Sequence, residues 1–310
     1  MRPYFFVLLN FILINFNLFS QNDTINDYYI RSSGFRVYTY EYNNVSYPLT
    51  GSNNMYFMLG SKFVFSGQSR LAGVLIAFAE KKVVVDDLHQ IIVYHLNPVG
   101  DMPTGQAIGV GEFKLSQCDT NSINPVFTWL PIEKKPAYVN SNFGVMIHTR
   151  TRQSGDDYLS VFTNLQGDGQ LQKTCFDMYI DNQNNWVYEN LYDFPIKPKN
   201  ITNPDIDLMM IPVLDFSTDV ESELTLNGFV IKKVFPNPVD DVLNIELGND
   251  ELIDFTISIF NINGEKLVEY SISNSSNNIS IDTKNLSEGS YIFLLSSKKG
   301  NFGGKFIIKR

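Results

Sequence analysis

Apolar and polar residues alternate over short stretches from Asp27 onward, and clusters of Gly, Asn, Asp, Ser and Pro break the stretches apart. Phe35–Tyr42, Met55–Leu59, Leu71–Ala79, Gln90–Leu96, Ile108–Lys114, Phe143–Thr149, Leu159–Phe162 and Leu208–Leu214 are rich in Val, Ile, Tyr and Phe, and each predicts a strand. No stretch combines a helical period with helix caps. Many short strands, with long loops between several of them, predict a two-sheet sandwich of jelly-roll type over residues 27–214. Asp215–Leu226 (DFSTDVESELTL) is acidic and rich in Ser and Thr, so it reads as a linker whose boundary few contacts should cross. Beyond it Leu243, Ile245 and Leu247 alternate with more polar neighbours, as do Phe255, Ile257 and Ile259. Asn263-Gly264 between that run and Lys266–Ile272 predicts a hairpin with a type I′ turn, which needs positive φ at both residues. With Ile279 and Ile281, Tyr291–Leu295 and Phe306–Ile308, these strands predict a second, immunoglobulin-like sandwich over residues 227–310. The predicted fold is therefore all-β: a jelly-roll-like β-sandwich followed by a small immunoglobulin-like one.

Composition agrees and narrows the partners. Hydrophobic residues make up 44% and charged residues 18%, the balance of a globular chain. Lys and Arg number 24 against 33 Asp and Glu, a formal charge of −9 that offers no basic surface and argues against nucleic acid. Residues 1–20 are read apart from the fold. Arg2 is followed by an uncharged run from Tyr4 to Phe19. At ~1.5 Å per residue such a helix falls short of the ~30 Å hydrocarbon core, so it reads as a secretory signal cleaved between Ser20 and Gln21. Loss of Arg2 takes the charge from −9 to −10. No later stretch is long and apolar enough to span a membrane as a helix. Export would place Cys118 and Cys175 in an oxidising compartment, where they can form one bridge or each serve as a small buried hydrophobe.

The C-terminal motifs carry a resemblance. Val234-Phe-Pro-Asn-Pro-Val239, Asp241-Val-Leu-Asn-Ile245, Ile259-Phe-Asn-Ile-Asn-Gly264, Leu286-Ser-Glu-Gly-Ser-Tyr-Ile292 and Lys305-Phe-Ile-Ile-Lys-Arg310 stand in order. Together they resemble the type A C-terminal sorting domain of the type IX secretion system. The resemblance assigns sorting-motif positions to Pro236, Asn237, Pro238, Gly264, Gly289, Tyr291 and Lys305. Glu265 separates Gly264 from Lys266, a small departure from the family's Gly-Lys turn. The resemblance implies a Gram-negative host and passage through the periplasm. It further implies that the type IX machinery is the partner and that the chain is delivered to the cell surface or the medium, often with removal of the sorting domain. Physically, Pro236 and Pro238 remove two donors from a strand edge, and Gly289 frees the turn before a strand. The middle region is similar to accessory jelly rolls found beside such domains, through Gly73–Phe78, Gln90–Leu96, Gly100–Gly105 and Phe143–His148, which bears on fold alone.

For chemistry, the chain has no Gly-x-Ser-x-Gly, Cys-x-x-Cys, His-Glu-x-x-His or phosphate-loop motif. His89, His95 and His148 are its three histidines. Six residues along a strand span ~20 Å, so His89 and His95 cannot share a metal, and all three read as surface or edge residues. Asp86-Asp87, Asp156-Asp157, Asp168, Asp181 and Asp205/Asp207 fall in expected loops. Gly155–Tyr158 and Asp181–Asn185 offer part of a calcium shell, though solvated turns account for them as well. No other cofactor is expected. Trp129, Trp186 and Tyr188 can form an aromatic platform for sugar rings, with Asn182, Asn184 and Asn185 nearby, or be core residues. The expected function is an exported, non-catalytic binding or adhesion module for glycan or another surface component. A small secreted hydrolase and a structural surface-layer component are the alternatives.

Overall fold

A computed structural model describes residues 39–42, 45–48, 58–98, 103–104, 106–121, 125–148, 157–163, 178–180, 186–188, 208–216, 224–226, 229–248, 253–275, 277–297 and 300–310. The structure is a β-sandwich. Each strand expected from the sequence is present, in whole or in part, where it falls on described residues. The hydrophobic pattern explains the layers. In Val242–Leu247 only Leu243, Ile245 and Leu247 are buried, a strand with one face on the core. Ser69–Lys82 is apolar and buried without a break from Leu71 to Ala79, because both of its faces are covered.

Ser69–Lys82 is the hub of the largest sheet. It pairs with Tyr158–Val161, Phe127–Pro131, Ala137–Val139 and, antiparallel, with Met210–Asp215. Met210–Asp215 then pairs in parallel with Gly300–Ile308, and the sheet continues through Gly289–Ser297 and Ile253–Asn261 to Lys266–Ser275. A four-stranded sheet of Met58–Phe63, Phe143–His148, Leu88–His95 and Gly109–Lys114 supplies inward side chains such as Phe63, Val93 and Phe143. A five-stranded sheet of Asn278–Asp282, Val242–Leu247, Phe229–Phe235, Leu224–Leu226 and Phe65–Ser66 supplies Ile231, Leu243 and Ile279. One hydrophobic core joins side chains from all three sheets. The long sheet also curls. Phe127 and Phe260, strands apart along it, meet edge to face at 6.2 Å over a second apolar cluster that includes Leu75, Ile211 and Ile292.

The expected linker is different in the structure. Asp215 ends one strand and Leu224–Leu226 is another, and both are paired across the supposed boundary: Asp215 lies in register with Lys305 and Leu226 with Phe65. The acidic, Ser/Thr-rich composition concealed the end of one strand at Asp215 and the start of another at Leu224, with Leu214, Phe216 and Leu224 buried. The Asn263-Gly264 turn is a second correction. Among the described residues Asp86 is the one non-glycine with positive φ, so Asn263 does not adopt the type I′ geometry. Instead Gly264 donates to the Asn261 carbonyl at 3.0 Å, Gly264 takes φ 84°, and Asn261 bonds onward to Glu265. That is a three-residue loop, a type I turn closed by a left-handed glycine. The Asn261 side chain favours it by accepting the N–H groups of Asn263 and Glu265 at 2.9 and 3.0 Å.

Candidate functional site

The sorting-motif positions divide into two structural groups. The first surrounds Pro236-Asn237-Pro238, which follows Phe229–Phe235 as a loop with both prolines preceded by cis peptides. Asn237 ties this loop down. Its side-chain amide donates to the Phe216 carbonyl, and its Oδ1 accepts the Ile307 N–H at 3.0 Å. Val239, fully buried, continues the contact by donating to Ile307 at 2.7 Å and accepting from Lys309 at 2.9 Å. Lys305 lies on the same final strand, where its carbonyl accepts the Phe216 N–H at 3.2 Å.

The second group surrounds the Leu286–Tyr291 loop. Tyr291 stacks on Phe306 at 5.7 Å and its hydroxyl donates to the Ser287 carbonyl at 2.8 Å, which closes the loop over Gly289 at φ 152°. Arg310 spans both groups. Its guanidinium donates to the carbonyls of Leu286 and Thr283, each at 2.7 Å, and its backbone N–H donates to Glu288 at 2.9 Å. Asp240 and Asp241, just after the proline loop, lie 3.9 and 3.8 Å from its Nε. These exposed ion pairs are worth ~0–1 kcal/mol, whereas hydrogen bonds from a charged donor are worth ~1.5–3 kcal/mol. The two carbonyls therefore set the position of Arg310, and the chain's basic end is docked onto the loops. Gly264 lies elsewhere, at the tip of the long hairpin, where an added Cβ would come within 2.7 Å of the Phe127 carbonyl.

In the N-terminal region the titratable groups are turned to structural use. His89, expected at the surface, is fully buried beside Phe113, with its Nε2 3.7 Å from Asp157. Burial holds its pKa below the usual value, against the opposing pull of the Asp157 carboxylate. Asp157 itself accepts the N–H groups of Val84, Val85 and Asp87 at 2.6, 2.9 and 3.0 Å. Burial would raise its pKa, but these backbone donors outweigh it and bring the group down to about 2. Its oxygens are thus engaged by the backbone N–H groups of the Val84–Asp87 segment. Asp86 is likewise engaged, by the Ser116 hydroxyl at 2.7 Å and the Ser116 N–H at 2.9 Å, and these bonds lower its pKa. His95 stands 3.4 Å from the Ser141 hydroxyl, and His148 is in register with Gln90 rather than with another histidine. Among the described residues no group of three or more His, Cys, Asp or Glu is placed to hold a metal.

Cys118 is a free thiol, buried, with its pKa pushed up to about 12 mainly by that burial. This is the small-hydrophobe alternative, with the sulfur 3.6 Å from the Lys114 carbonyl. Cys175, its expected partner, lies outside the described residues, as do Ser20, Gln21, Asp168, Asp181, Asp205 and Asp207. Trp129 is half-buried against the second apolar cluster and covers Gly73, where an added Cβ would strike its ring at 2.4 Å. Trp186 and Tyr188 share the strand Trp186–Tyr188, paired with Met178–Ile180.

Residues 233–309 match the family described as "Secretion system C-terminal sorting domain". The segment is an export address. It indicates a protein of the type IX pathway, delivered to the cell surface or the extracellular space. The two motif groups and Arg310 all lie in this sorting domain or at its end. The comparison with curated proteins gives no match. Among solved structures, the chain is similar to a biofilm-associated protein BSP domain at 11% identity and TM-score 0.22, covering 79% of this chain and 52% of that one. A β-glucuronidase from Ruminococcus gnavus in complex with D-glucuronic acid follows at 9% identity and TM-score 0.21, covering 91% and 47%. A β-glucuronidase from Lactobacillus rhamnosus has 9% identity and TM-score 0.17, covering 86% and 40%. The chain spans about half the length of these structures or less, and likenesses this slight carry no argument. Among the described residues no helix is long and apolar enough to cross a membrane.

The sorting domain's own signals were legible, but two features beside it were missed. His89 is buried next to Asp157, which is far along the chain. The approach of Met210–Asp215 to the final strand had one readable sign, the Gly303-Gly304 pair inside an otherwise apolar strand, since strand glycines mark close backbone approach.

Proposed function

We propose that the protein is an exported binding or adhesion module whose N-terminal region contacts glycan at the cell surface without turning it over. The observation that carries this reading is the structural engagement of Asp157, Asp86 and Cys118 among the described residues. Asp157 and Asp86 spend their carboxylate oxygens on backbone and hydroxyl donors, and Cys118 is a buried thiol with its pKa raised. These are scaffold roles, with the carboxylates fixing the loops around them. Exposed apolar side chains lie beside them at Val83, Val84 and Val85. Trp186 and Tyr188 are the aromatic residues assigned to sugar contact, and no cofactor takes part. Affinity electrophoresis of the purified protein against a panel of polysaccharides tests the reading. Retardation by at least one glycan, lost in Trp186→Ala and unaccompanied by new reducing ends, is expected. Release of reducing ends would instead favour the hydrolase alternative, and no retardation by any glycan would remove the carbohydrate reading.

A further inference from the structure

Sorting domains serve as addresses, yet in this chain the address is also built into the body. Parallel pairing places Val213, Leu214 and Asp215 beside Gly303, Gly304 and Lys305 in the middle of the longest sheet. The fit requires both glycines. A Cβ on Gly303 would lie 2.9 Å from the Pro212 carbonyl, and one on Gly304 would lie 2.3 Å from the Phe293 ring and 2.8 Å from that of Phe216. Phe216, from the N-terminal side, stacks on Phe293 at 6.1 Å and packs against Phe302 at 5.9 Å. Its carbonyl takes the amide of Asn237, so the central residue of the proline loop is held by the N-terminal side. Two further contacts cross the same divide. Leu224–Leu226 pairs with Phe65–Ser66, and the sheet's curl brings Phe260 and Gly264 onto Phe127.

Domains joined by a linker usually meet over modest, polar interfaces and can separate. Here hydrogen-bonded strands and one aromatic core cross the divide instead, and separation would expose two sheet edges. We infer that the sorting domain is an integral structural part of this protein, which stays bound to the N-terminal region even after the chain between them is cut. This does not depend on what the N-terminal region binds.

The test uses the full chain with a specific protease site placed within residues 217–223. After complete cleavage, the two pieces are expected to co-elute as one species in size-exclusion chromatography at micromolar concentration, and to unfold in a single thermal transition. The same cleavable chain carrying Gly304→Val is expected to release them as two species; if that variant does not fold, the cleaved wild-type chain decides alone. Separation of the wild-type pieces, or precipitation of either one on cleavage, would overturn the inference.

Discussion

Replacing Gly304 by Val is expected to destabilise the protein by about 3 kcal/mol, near the upper end for overpacking a core. The Cβ alone would overlap two aromatic rings, and neither can yield. Phe293 and Phe216 are both buried and stacked on each other, and Phe293 also stacks on Phe302. The strand has to move outward, which lengthens the parallel hydrogen bonds to Met210–Asp215 and shifts the Ile307 N–H away from Asn237. At roughly 2–4 °C per kcal/mol for a chain of this size, the thermal midpoint should fall by about 6–12 °C. Calorimetry on the purified variant reads this directly. A midpoint within about 2 °C of the parent would show that the ring stack opens at little cost and that the seam is loosely packed.

Replacing Asp157 by Ala is expected to cost a similar ~3 kcal/mol, because it strands three backbone N–H groups and leaves His89 without its carboxylate neighbour. The pH dependence identifies the cause. The folded pKa of Asp157 is about 2, below its ordinary 3.8, so its contribution is complete above the ordinary value and is lost as pH falls through about 2. The pKa of His89 is held below 6.5, so the unfolded chain takes up that proton first, and stability also declines as pH drops below 6.5. Both groups act in the same direction in adjoining ranges. Urea midpoints measured from neutral to acid pH should fall in two stages for the parent chain, and Asp157→Ala should lack the stage below about pH 4. An unchanged acid limb in the variant would place the titrating carboxylate elsewhere.

Local patterns in the sequence were enough for what depends on neighbours along the chain. The alternation of Leu243, Ile245 and Leu247 located a one-sided strand, and the continuous run through Leu71–Ala79 located a strand covered on both faces. Asn263-Gly264 located a turn but not its type, because the type was set by Asn261, whose side chain captures two N–H groups of the loop. Phe127–Pro131 and Ala137–Val139 were passed over because they are short and bounded by polar or proline residues, and they are strands only through their pairing with Ser69–Lys82. The seam was the least legible feature. Parallel pairing between distant segments leaves no local alternation to read, and the acidic composition after Asp215 read as a linker although Phe216 and Leu224 are both buried. For the site, the motif residues of the sorting domain were visible in order. The holding of Asn237 by Phe216 and the docking of Arg310 onto Leu286 and Thr283 required the fold.

Export through the type IX pathway rests on the sorting domain at residues 233–309 and is tested most directly by where the full chain ends up. The measurement is surface protease accessibility and cell fractionation in a host that has the pathway, beside an otherwise identical strain lacking its outer-membrane machinery. The full chain should be exposed on the surface or released to the medium in the first strain and held in the periplasm in the second. An identical distribution in the two strains would contradict the sorting role.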